Sequence, residues 1–270
     1  MTIDHYTKSQ ISNLKPQIMK YLYRAYQICV ALPLGILVTV VLALMIVIGC
    51  SLGYGHFWGY YPGRWWSRIV LWLLLIPVKI DGRTQLEKGQ SYVFVANHQG
   101  AFDIFLIYGY LGRSFRWMMK YQLRKIPFVG WACEKSHQIF VDKRGPKKIQ
   151  ATYEAARKTL QGGTSVTVFP EGARTFTGHM GVFKKGAFAL ADELQLPVVP
   201  LTINGSFDIL PRQKGLSFVT WHRLTLTFHQ PVYPVGQGPE NIEAIKNQAY
   251  DSVMSALTPE YQGFVENPDQ

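Results

Sequence analysis

Residues 28–52 carry no charged side chain, and nothing else in the chain restricts its fold so strongly. As a helix this run is roughly 37 Å long, more than the hydrocarbon core of a bilayer, about 30 Å, requires. It is too long for a buried core helix. It is also too long, and too far from the first residue, for an ordinary cleaved signal peptide. The run therefore reads as a membrane anchor. Ahead of it, residues 1–24 are polar, and Ile18, Tyr21, Leu22 and Tyr26 suit an amphipathic lead-in helix at a membrane surface.

A second apolar stretch, 65–77, is too short to span comfortably and holds Trp65, Trp66 and Trp72, a residue type that prefers the headgroup level. Basic residues flank the anchor on both sides: Lys15, Lys20 and Arg24 before it, Arg64, Arg68 and Lys79 after it. A single span would put one basic flank outside, against the positive-inside tendency. We expect a membrane-embedded helical hairpin that enters from the cytoplasm, with Gly53, Gly55, Gly59 and Pro62-Gly63 in its turn; a single span is the alternative. The expected location is the inner, cytoplasmic membrane, with the following domain on its cytoplasmic face.

Composition supports a membrane. Hydrophobic residues make up 48% of the chain and charged residues only 17%, below the usual quarter. A formal charge of +11 implies anionic partners. Nucleic acid would satisfy that charge, but the uncharged run selects anionic lipid instead. Cys29, Cys50 and Cys133 have no metal-ligand spacing, so neither a metal site nor a disulfide framework is expected.

From Val78 the pattern changes to that of an α/β domain. Apolar runs at 92–96, 116–119, 139–141, 165–169, 198–203 and 224–228 read as strands. Between them, Ile149, Tyr153, Ala156 and Leu160 recur on one helical face over 146–160, and helices are expected at 187–194 and 241–257. Alternating strands and helices predict a mixed, partly parallel sheet flanked by helices. The expected organisation is an anchor at 1–77, an α/β domain at 78–262 and a tail at 263–270.

Two constellations carry chemistry. The first, Asn97-His98-Gln99-Gly100-Ala101-Phe102-Asp103, joins the strand 92–96 to an apolar helix. Residues five apart on one regular helix point about 140° apart, so His98 and Asp103 meet only if His98 lies outside the helix and Asp103 in its first turn. Gly100 is read here as supplying the bend through its backbone freedom. Such a pair can act as a general base, the carboxylate fixing the tautomer and stabilising the imidazolium. The same residues also suit a helix cap and a supported first turn. No Gly-x-Ser-x-Gly elbow occurs, so an attacking hydroxyl would come from substrate.

The second constellation, Phe169-Pro170-Glu171-Gly172-Ala173-Arg174, follows the strand 165–169. Arg174 can hold a phosphate, Gly172 lets backbone approach a ligand, and Glu171 can fix the Arg174 fork or bond a substrate hydroxyl. A surface Glu–Arg pair fits as well. Lys184 before the helix 187–194 suits a phosphate site or a solvated basic face. Lys120 and Arg144, the latter coming off the strand 139–141, are further candidate phosphate ligands.

Taken in order, Asn97-His98…Asp103, Ile139…Arg144, Phe169-Pro170-Glu171-Gly172-Ala173-Arg174 and Val199-Pro200…Gly205 resemble the four blocks of the glycerolipid acyltransferase family, most closely its 1-acyl-glycerol-3-phosphate acyltransferases. The resemblance covers roughly 78–210. It implies that His98 is the general base and Asp103 its orienting acid, and that Arg144, Glu171, Gly172 and Arg174 bind glycerol phosphate. The implied reaction passes an acyl group from acyl-CoA or acyl carrier protein directly to the 2-hydroxyl of lysophosphatidic acid, without metal or cofactor. Another lysolipid acceptor and a non-catalytic lipid-binding protein are the alternatives. Gly100 and Ala173 stand where the family often has Ser and Thr, which leaves acceptor choice more open than reaction type.

Overall fold

In this computed structural model, residues 16–82, 86–142, 144–160, 162–215 and 217–265 are described. Residues 1–15 of the expected lead-in and 266–270 of the expected tail lie outside the described residues.

The sheet contains β1 (Val78–Asp81), β2 (Val93–Ala96), β3 (Phe115–Lys120), β4 (Ile139–Val141), β5 (Ser165–Val168), β6 (Val198–Asn204) and β7 (Leu224–Phe228). Their order is β1-β7-β6-β2-β5-β3-β4. From β6 through β2, β5 and β3 to β4 every neighbour is parallel. The pair β6–β7 is antiparallel and β1 follows β7 in parallel, so the sheet is mixed and mostly parallel. Central β2 and β6 are buried along their whole length, as their continuous apolar runs require when helices cover both faces. β7 alternates buried and half-buried residues. β1, which the apolar pattern did not mark, is a short half-exposed edge strand carrying Lys79.

The helices are α1 (Pro16–Ser51), α2 (Tyr61–Leu73), α3 (Phe102–Tyr110), α4 (Val129–Lys135), α5 (Pro146–Thr159), α6 (Gly186–Leu194) and α7 (Pro239–Ser255), with shorter turns between them. Alternation along β2 sends Phe94 and Ala96 to one face, where they pack with Leu106 of α3, Leu71 of α2 and Leu201. Val93 and Val95 go to the other, against Ala156, Phe188 and Ala249 of α5, α6 and α7.

α1 is long and apolar enough to cross a membrane, by length and composition. It runs antiparallel to α2 as a hairpin: Tyr23 and Tyr26 donate to the carbonyls of Leu74 and Leu73, and Trp66 donates its indole N–H to Thr39. The helix also touches the rest of the chain at two places. A π-turn at Gln27–Ala31 turns Gln27 inward, where its amide exchanges two hydrogen bonds with the backbone of Val219, at 3.0 and 2.9 Å. Its C-terminal half packs on α4. In the turn, Gly53 adopts a φ of +90°, open to glycine without strain.

Candidate active site

Every candidate residue lies at or beyond the carboxyl end of a parallel strand or at the start of the helix after it. This is the edge where open α/β sheets hold ligands. β2 leads to His98, β3 ends at Lys120, β4 leads to Arg144, and β5 leads to Glu171, Gly172 and Arg174. Lys184 precedes α6.

His98 and Asp103 meet. The imidazole Nδ1 is 2.7 Å from Asp103 Oδ2, with Asp103 in the first turn of α3 and its side chain fully buried. The Gly100 N–H donates to the same oxygen at 2.9 Å. A carboxylate oxygen accepts, so the N–H between the two sits on His98 Nδ1, and in the neutral imidazole Nε2 carries the lone pair. The imidazole side chain is 14% exposed. Its ring lies face to face on Phe169, centroids 3.9 Å apart and planes 6° apart.

The reason for glycine at position 100 differs from the expected bend. Gly100 is not among the residues at positive φ. A Cβ there would stand 2.5 Å from Ser206 Oγ and 2.7 Å from the Ser206 carbonyl oxygen, so the position needs glycine for close approach rather than for turning.

Glu171 likewise serves a purpose other than the expected Arg174 fork. It is 1% exposed, and both carboxyl oxygens accept backbone N–H bonds, from His98 at 2.6 Å and Gly181 at 2.8 Å. Burial pushes this carboxyl up to about 8, the two N–H donors working in the opposite direction. Glu171 thus ties the His98 loop to the 179–183 segment. The Thr175 N–H adds a second tie, to the His98 carbonyl.

The cations differ in their engagements. Arg144 is bonded through two nitrogens to Asp142, at 2.8 and 2.7 Å, and its side chain is 71% exposed. That pairing holds the Asp142 carboxyl down at about 2. Lys184 Nζ donates to the Glu171 carbonyl at 2.8 Å and stands 3.0 Å from where a Cβ at position 172 would sit. Gly172, at a φ of +78°, meets both that approach and the left-handed turn. Arg174 is half-buried, and its guanidinium makes no hydrogen bond or ion pair among the described residues; only its carbonyl is engaged, by Arg212. Lys120 is exposed at the strand end.

Sequence reading did not find the supports of the histidine. The Asn97 side chain exchanges two hydrogen bonds with the Ile203 backbone, at 2.8 and 2.7 Å, as another strand residue would. Gln99 donates to the Gly178 carbonyl. Phe169 was legible as a motif letter, but not as the imidazole's stacking partner.

Fold and site define a class: an α/β protein with a carboxylate-held histidine at the carboxyl edge of its sheet, and on the next loop an arginine unpaired among the described residues. No Ser, Thr or Cys side chain bonds to that histidine among the described residues. The Acyltransferase family model matches residues 77–204, and that stretch is an acyltransferase-family domain. It is 29% identical over 225 residues to the chloroplastic 1-acyl-sn-glycerol-3-phosphate acyltransferase BAT2 of Brassica napus, covering 81% of this chain and 64% of that protein. It is 30% identical over 181 residues to the 1-acyl-sn-glycerol-3-phosphate acyltransferase alpha of Mus musculus, covering 67% and 63%. These matches span less than two thirds of either relative. The crystal structure of the 1-acyl-sn-glycerophosphate (LPA) acyltransferase PlsC from Thermotoga maritima superposes with a TM-score of 0.59 at 25% identity, over 83% of this chain and 95% of that one.

Proposed function

We propose that this chain transfers a fatty acyl group from an acyl thioester to the sn-2 hydroxyl of 1-acyl-glycerol-3-phosphate, forming phosphatidic acid for phospholipid synthesis. The observation that carries the reading is the 2.7 Å His98–Asp103 pair, which leaves Nε2 as the base, with no protein nucleophile bonded to it among the described residues. His98 Nε2 takes the proton of the acceptor hydroxyl as its oxygen bonds to the thioester carbonyl carbon. The C–S bond then breaks, and the leaving thiolate takes the proton back from the imidazolium. Asp103 holds the tautomer and stabilises the transient cation. Arg174 is the principal phosphate ligand, since its guanidinium is unengaged, and Lys120 adds charge. Lys184, held by the Glu171 carbonyl, and Gly172 complete the phosphate site. Arg144 adds charge with two of its nitrogens already on Asp142.

In this reading the hairpin lies in one leaflet on the cytoplasmic face. α1 touches the rest of the chain at Gln27 and again through 32–51 against α4, contacts that a helix crossing to the far side would leave behind. Either acyl-CoA or acyl carrier protein supplies the thioester, and no cofactor is called for. The test is acyl transfer by the purified full-length protein, with both donors and with lysophosphatidic acid or uncharged monoacylglycerol as acceptor. Phosphatidic acid formation with a marked preference for the phosphorylated acceptor is expected. Equal use of the two acceptors, or thioester loss independent of acceptor, would overturn the assignment.

A further inference from the structure

The imidazole of His98 is held at its edge by Asp103, but an edge contact alone lets a ring tilt. Its face is closed by Phe169, at 3.9 Å and within 6° of parallel. Phe169 in turn stacks on Trp117 of β3, at 5.3 Å and 25°. Trp117 is buried and packs edge-on against Phe115. Three rings from the β2 loop, the end of β5 and β3 therefore form one ladder, anchored in the core at its far end. The face of an aromatic ring is electron-rich and attracts a cation placed over it. The species set over this face becomes a cation only while it carries the substrate's proton.

We propose that Phe169 is a positioning residue for His98, fixing the plane of the imidazole and stabilising the imidazolium that forms in the reaction. This rests on His98 acting as the base. The contribution is made in the transition state and is absent from the ground state, so it raises kcat and leaves acceptor binding alone. Asp103 faces the same ring at its Nδ1 edge, and Glu171 meets the same loop through the His98 backbone N–H. Phe169 is the aromatic contact on the face of the imidazole.

The experiment places phenylalanines of increasing fluorination at position 169 of the full-length protein, in lipid nanodiscs. Fluorine withdraws negative potential from the ring face while nearly preserving its shape. We expect kcat to fall stepwise with fluorination, by about two- to thirty-fold in total, at constant KM for lysophosphatidic acid. Phe169→Leu should fall as far, and Phe169→Tyr should stay near wild type. A kcat indifferent to fluorination, a loss expressed in KM alone, or a Phe169→Tyr as impaired as Phe169→Leu would overturn the proposal. His98→Ala, run in parallel, separates the two layers. If transfer survives that change, the base assignment fails and this proposal with it. If transfer requires His98 yet ignores fluorination, only the role of Phe169 fails.

Discussion

At the scale of single residues, the candidate cations divide by what already holds them. Arg174 is unpaired among the described residues while Arg144 is bonded through two nitrogens to Asp142, so an arriving phosphate meets the first with all its donors free of carboxylate. Charge-assisted bonds of this kind are worth about 1.5–3 kcal/mol. Arg174→Ala should therefore lower kcat/KM for lysophosphatidic acid roughly ten- to hundredfold, and Arg144→Ala several times less, in steady-state assays. Glu171 gives a prediction of a different kind. Its buried carboxyl is raised from the usual 4.5 to about 8, so the folded chain keeps a proton that the unfolded chain releases over that interval. Stability from this group is therefore greatest at the acid end and declines as pH rises toward 8. Glu171→Gln should flatten the slope of unfolding free energy against pH between about 5 and 8, measured by chemical denaturation. An unchanged slope would show that Glu171 is not the group responsible.

At the scale of elements, the histidine loop owes its position to side chains that imitate backbone. Asn97 occupies both the N–H and the C=O of Ile203 in β6, where a neighbouring strand would otherwise do so. Asn97→Ala leaves two buried backbone groups without partners, at about 1–3 kcal/mol for each, and thermal denaturation should show a clear loss of stability. Much of this framework was legible. The apolar runs at 139–141 and 224–228 became β4 and β7 with those bounds, and Asp103 did fall in the first turn of its helix. The reason is that buried strands and amphipathic helices write their periodicity into neighbouring residues. What stayed illegible depends on residues distant in the chain. Gly100 is required by Ser206, more than a hundred positions away, and Glu171 is bound by the backbone of His98 and Gly181. β1 escaped because a short edge strand exposed to solvent needs no apolar run.

At the scale of the whole molecule, an apolar hairpin is joined to a basic α/β body that carries the candidate site. α1 touches the body at Gln27 and again through its contact with α4, so the hairpin turn near Tyr54 should remain on the same side of the bilayer as the body. In sealed vesicles bearing the protein outside, a cysteine placed at Tyr54 in a Cys-free background should never react with an impermeant thiol reagent confined to the lumen. Labelling from the lumen would restore the single-span arrangement. The central claim concerns His98. The most direct measurement is the rate of acyl transfer to lysophosphatidic acid by purified wild-type protein beside His98→Ala, both shown folded by circular dichroism. A general base contributes about 10²–10⁴-fold, so transfer should fall at least a hundredfold while the variant stays folded. If His98→Ala transfers acyl groups within a few-fold of wild type, the histidine is not the base and the mechanism is wrong.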